Sequence, residues 1–101
     1  MKITKEKKKV IIENIKNNLS SFREIEKIII FGSFLKKNSP NDIDIAIFQD
    51  SKEDFLTLSL RYRKVLREIA KIIPLDILPI KKNSNSYILD EIKSGITIYE
   101  K

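Results

Sequence analysis

Apolar residues recur along this chain at two different periods, and the changes of period mark its elements. From Thr4 to Phe22, Ile12, Ile15, Leu19 and Phe22 fall three or four residues apart, which predicts one apolar stripe on a helix. Lys27-Ile28-Ile29-Ile30-Phe31 is a β-branched run that stops at Gly32, the pattern of a buried strand. Ser33 to Asn41 contains Lys36, Lys37, Asn38, Ser39 and Pro40 and reads as a polar connection beginning with a helical turn. A second strand is predicted over Asp42–Phe48. Ser51 with Asp54 three residues later has the spacing of a capping box. Behind it, Phe55, Leu58, Tyr62, Val65, Ile69 and Ile72 predict a long helix ending before Pro74.

Leu75–Ile80 reads as a third strand. Ser86–Ser94 reads as a short helix with Ile88, Leu89 and Ile92 inward, and Gly95 is placed to end it in a left-handed conformation. Ile96-Thr97-Ile98 suggests a last short strand or extended tail. The expected fold class is α/β in the broad sense (α+β): a mixed β-sheet flanked by helices, in one domain over residues 1–101.

Composition narrows the chemistry. The chain has no cysteine and no histidine, which excludes disulfides, thiolate zinc sites, His-based triads and His-ligated metals. Any catalysis must run on carboxylates, hydroxyls, lysines and bound ions. No apolar run approaches the roughly 20 residues that span a bilayer, and Val10–Ile15 is too short and too polar for a signal-peptide core. Cytoplasmic residence without membrane contact is expected. Twenty Lys and Arg against 14 Asp and Glu give a formal charge of +6. Lys2, Lys5, Lys7, Lys8 and Lys9 crowd the start with no aromatic residues between them. They read as a solvated basic face, with attraction of an anionic nucleotide or partner as the alternative. Direct nucleic-acid binding is the weakest reading.

The most informative stretch is Asp42-Ile43-Asp44-Ile45. Side chains alternate along a strand, so both aspartates project from one face and the isoleucines from the other. A rise of about 3.3 Å per residue puts the two carboxylates roughly 6 to 7 Å apart at their Cβ atoms, where both can reach an oxygen-seeking ion such as Mg²⁺. An apolar strand carrying two like charges is costly without a cation. The alternative is that Asp42 is a strand-entry turn residue and Asp44 faces water. Gly32 and Ser33, directly after the first strand, favour the metal reading. Glycine lets a phosphate approach the backbone, and a serine hydroxyl can bond a phosphate oxygen. Asp76, inside the apolar Leu75–Ile80 run, would join the aspartates if its strand lies beside theirs. Otherwise it is an edge-strand carboxylate facing water, which the flanking Pro74 and Pro79 suit.

Taken together, Ile30-Phe31-Gly32-Ser33-Phe34 and Asp42-Ile43-Asp44-Ile45-Ala46-Ile47 resemble the signature of the DNA polymerase beta-like nucleotidyltransferase superfamily. More narrowly, nearly the whole chain resembles its minimal nucleotidyltransferases, small prokaryotic proteins often encoded beside a helical HEPN partner. That likeness includes Leu75-Asp76-Ile77 and the closing Ser94-Gly95-Ile96-Thr97-Ile98-Tyr99-Glu100. The resemblance implies the nucleotidyltransferase fold, with Gly32 and Ser33 on the nucleotide phosphates and Lys36 offering charge to them. It also implies Asp42, Asp44 and Asp76 as Mg²⁺ ligands, with Asp76 a base for the attacking hydroxyl. Some members transfer AMP from ATP to a tyrosine of a HEPN toxin and so act as antitoxins; others only bind nucleotide or partner. Two departures bear on activity. The connection Phe34–Asn41 is shorter than usual, and Lys36-Lys37 stands where a basic residue and glycine are usual. The expectation is an AMP-transferring enzyme, with a contact-only partner-binding module as the alternative. A homo-oligomer formed through a sheet edge or helix face is also open. Tyr62 and Tyr99 read as structural.

Overall fold

The computed structural model describes residues 2–81, 90 and 92–101. Helix α1 spans Lys5–Leu19 and is capped by Thr4, whose hydroxyl accepts from the Lys7 backbone N–H at 3.1 Å. Strand β1 (Ile25–Phe31) leads through Gly32 into a single helical turn, α2 (Ser33–Lys36). Strand β2 (Ile43–Gln49) is followed by α3 (Phe55–Val65), α4 (Arg67–Ala70), β3 (Leu75–Lys81) and finally β4 (Ile96–Glu100).

The sheet order is β3-β2-β1-β4. β1 runs antiparallel to both β2 and β4, and β2 runs parallel to β3, so the sheet is mixed as the element order predicts. A parallel neighbour needs a crossover, and α3 with α4 supply it. Alternation divides each strand between two faces. Ile28 and Ile30, Ile43, Ile45 and Ile47, and Leu75 and Ile77 pack with Ile11, Ile15, Leu19, Leu58, Tyr62, Leu66, Ile69 and Ile73 of the helical layer. Ile29, Phe31, Ala46 and Ile80 face the other way and bury Ile92 in a smaller apolar group. Each fully buried Ile or Leu contributes about 1.5–3 kcal/mol relative to exposure, so the helical side of the sheet holds most of the stability.

Four local expectations change. The buried stripe of α1 is Ile11, Ile15 and Leu19, with Ile12 and Phe22 only flanking it. The cap of α3 is Asp54, whose Oδ1 accepts from the Thr57 N–H at 2.7 Å, while Ser51 binds the Glu53 N–H outside the helix. The long helix expected to end before Pro74 breaks at Leu66 (φ −102°, ψ 15°). The buried stripe is Leu58, Tyr62, Leu66, Ile69 and Ile73, spaced four, four, three and four residues apart, whereas Phe55, Val65 and Ile72 are exposed. Gly95 is not left-handed, since Gly32 is the only described residue with positive φ. Its reason is space, because a Cβ there would lie 2.5 Å from the Ile30 carbonyl oxygen and 2.8 Å from the Phe31 Cβ. Of the short helix expected over Ser86–Ser94, residues 86–89 (with Ile88 and Leu89) and 91 lie outside the described residues; Asp90 and Ile92 are helical and Ile92 is buried.

Candidate active site

The first strand delivers the chain to Gly32 at the sheet's end, where φ of 83° and ψ of −156° describe a backbone conformation essentially confined to glycine. A Cβ on Gly32 would overlap Asp44 Oδ2 and stand 3.2 Å from its Cγ, so the Asp44 carboxylate rests directly against the glycine backbone. This contact follows from the register: Phe31 is the cross-strand partner of Asp44, and Gly32 is the next residue. Ser33 opens the α2 turn, closed by Leu35 N–H to Gly32 C=O (3.3 Å) and Lys37 N–H to Ser33 C=O (2.9 Å). The first N–H groups of a helical turn have no partner within it and point outward from its start, which suits an anion. Phe34 is fully buried and fixes the turn to the core.

Asp44 is paired with Asp76 across the parallel β2–β3 ladder, and Ile43 N–H to Pro74 C=O (2.9 Å) locks the strand starts together. Neighbouring strands lie about 4.8 Å apart, so two same-face carboxylates in register repel unless a cation or proton intervenes. Asp42 directly precedes β2 and is half-buried like Asp44, whereas Asp76 is exposed on the edge strand. Asp76 thus lies on an edge strand and also beside Asp44. Among the described residues, no three His, Cys, Asp or Glu side chains are drawn into a ready-made metal-binding cluster. The donor set is nevertheless all carboxylate oxygen, the choice of a hard cation. Lys36 ends the α2 turn and is exposed.

One contributor was not visible in the sequence. Lys8 of α1 donates from Nζ to the Lys37 carbonyl at 2.7 Å and lies 5.4 Å over the Phe34 ring. With Ile3 N–H bonded to the Asn38 carbonyl at 2.8 Å, it ties the start of the chain to the connection that follows Ser33. Lys8 is thus a positioning residue for the turn rather than part of a freely solvated basic face.

The model of the family described as polymerase beta, nucleotidyltransferase matches residues 13–101, which contain Gly32, Ser33, Lys36, Asp42, Asp44 and Asp76. The chain belongs to this nucleotidyltransferase family. Its fold is that of the minimal nucleotidyltransferases among solved structures. A chain of the complex between the tri-AMPylated HEPN toxin of Shewanella oneidensis and an MNT antitoxin superposes with a TM-score of 0.67 at 18% identity, over 93% of this chain and 73% of that one. The toxin–antitoxin MntA–HepT gives 0.59 at 18% identity, over 92% and 73%. A toxin–antitoxin structure with AMP-PNP gives 0.58 at 19% identity, over 93% and 73%. Comparison with curated protein sequences gave no match. Asp44 lies on the sheet face opposite α1, α3 and α4, the face on which Ile29, Phe31, Ala46 and Ile80 bury Ile92. No described helix is long and apolar enough to cross a membrane.

Proposed function

We propose that this nucleotidyltransferase transfers AMP from ATP to a hydroxyl of a partner protein, a tyrosine of a helical HEPN-type toxin, and thereby acts as its antitoxin. The observation that carries the reading is the convergence of Gly32, Asp44 and Asp76: a glycine with positive φ under one carboxylate, and a second carboxylate in register with it. Support for the nucleotide and the partner comes from the similar solved complexes, which include a tri-AMPylated toxin and AMP-PNP.

In this reading the backbone at Gly32 and Ser33 holds the triphosphate, and Lys36 adds charge at its edge. Asp42, Asp44 and Asp76 would hold Mg²⁺, which when bound supplies charge neutralisation on the transferring phosphate. Asp76, the exposed carboxylate, takes the proton of the acceptor hydroxyl. The acceptor oxygen bonds to the α-phosphorus, the bond from that phosphorus to the bridging oxygen breaks, and pyrophosphate leaves.

With α-labelled ATP and a co-purified partner, label is expected on the partner and its loss is expected in Asp42→Ala and Asp44→Ala. Labelling that survives both substitutions rejects the assigned site. A second reading, a module that neutralises a helical partner by contact alone, is favoured by the carboxylates' not being gathered into a cluster among the described residues. A double aspartate variant that still forms the complex and still suppresses toxicity selects it.

A further inference from the structure

Two lysine-rich segments, distant in sequence, meet beside the turn that follows Gly32. Lys37 N–H donates to the Ser33 carbonyl at 2.9 Å, Lys8 Nζ to the Lys37 carbonyl at 2.7 Å, and Ile3 N–H to the Asn38 carbonyl at 2.8 Å. These bonds hold the start of α1 against the chain that leaves Ser33. Lys2, Lys5 and Lys37 are exposed and Lys8 is half-buried. None of the four is ion-paired with a carboxylate among the described residues. Acids that would neutralise them locally are scarce: Glu6 is the only one in residues 1–12, and residues 32–41 contain none. Lys5, Lys7, Lys8 and Lys9 also crowd the end of a helix at which cations are disfavoured, a cost that an anion beside their side chains offsets. The neighbouring Asp42, Asp44 and Asp76 by themselves repel a polyphosphate, so a nucleotide site built on them gains from fixed positive charge close by.

We propose that Lys2, Lys5, Lys8 and Lys37 form an anion-capturing rim, which draws in the polyphosphate tail of a nucleoside triphosphate and favours it over a monophosphate. The inference rests on the nucleotide reading of the carboxylate site for its ligand, but the rim acts through its own charge and without metal. Its attraction grows with the charge of the ligand, fades with added salt, and acts mainly on the rate of association.

Two measurements test it: calorimetry with inorganic tripolyphosphate in the absence of Mg²⁺, and stopped-flow binding of a fluorescent ATP analogue in its presence. Lys2→Gln, Lys5→Gln and Lys37→Gln, combined in one chain, remove three exposed charges and should leave the circular dichroism spectrum unchanged. At low salt this variant is expected to bind tripolyphosphate about tenfold more weakly than the wild type, and to take up the ATP analogue about tenfold more slowly at an unchanged dissociation rate. Both differences should vanish at high salt. Asp44→Asn should bind tripolyphosphate at least as tightly as the wild type, because it removes an opposing charge. Wild-type tripolyphosphate affinity or a wild-type association rate in the lysine variant overturns the proposal. Nucleotide binding that depends on Asp44 but not on the lysines rejects the rim alone. Tripolyphosphate binding that depends on the lysines, with no nucleotide binding that depends on Asp44, keeps the rim and rejects the carboxylate site.

Discussion

At the scale of single residues, Gly32 is the position where the site has least room for substitution. Its backbone conformation costs a non-glycine residue about 1–3 kcal/mol, and its missing side chain is the space that the Asp44 carboxylate fills. Gly32→Ala is therefore expected to lower stability by about that amount and to reduce nucleotide affinity more than tenfold. Chemical denaturation alongside nucleotide titration checks it, and an alanine variant with wild-type affinity would show that Asp44 does not depend on this seat. The aspartates themselves differ in how far the sequence reveals them. Asp42 and Asp44 are legible as a pair because alternation is a local rule. The adjacency of Asp44 and Asp76 is not, because it depends on which strand lies beside which, across 32 positions. Lys8 is the extreme case: in sequence it is one lysine among several, and only the packing of α1 gives it a carbonyl and a ring to hold.

At the scale of elements, what joins α3 to the sheet is as much polar as apolar. The buried Tyr62 hydroxyl donates to Glu24 Oε2 at 2.9 Å, its ring meets Phe22 edge-on at 5.4 Å, and Arg61 bridges Glu24 (3.4 Å) and Glu53. Burial first, and then the hydrogen bond to the Glu24 carboxylate, push the Tyr62 phenol well above its ordinary 10. The folded state thus holds this proton more tightly than the unfolded chain does. The resulting stability is fully present below pH 10 and is lost as pH rises beyond it. Tyr62→Phe should cost about 1.5–3 kcal/mol near neutrality, the value of a hydrogen bond to a charged group, and should flatten the alkaline decline. Thermal unfolding of both proteins from pH 7 to pH 11 checks this; parallel curves would contradict it. The elements' existence and type were largely legible from periodicity. Their phase was not: Leu66 and Ile73, each four residues beyond a buried Tyr62 or Ile69, continue the inward stripe, while Val65 and Ile72, one residue earlier and just as apolar, lie at its exposed border. Gly95 was misread for a related reason. Its role is set by close contact with β1, which no local rule reports.

At the scale of the whole molecule, the mixed sheet separates two tasks. One face, filled by α1, α3 and α4, carries the core, and the other carries the carboxylates beside a smaller apolar group. The register Asp44–Asp76 puts the proposed nucleotide site on that second face. The central claim is that these carboxylates bind nucleotide through a divalent cation. The most direct test is calorimetric titration of a non-hydrolysable ATP analogue into wild type and Asp44→Asn, each with and without Mg²⁺. The account predicts binding by the wild type that weakens at least tenfold when Mg²⁺ is withdrawn, and an Asp44→Asn variant that binds weakly under both conditions. Equal affinity in wild type and Asp44→Asn, with no dependence on Mg²⁺ in either, would contradict it.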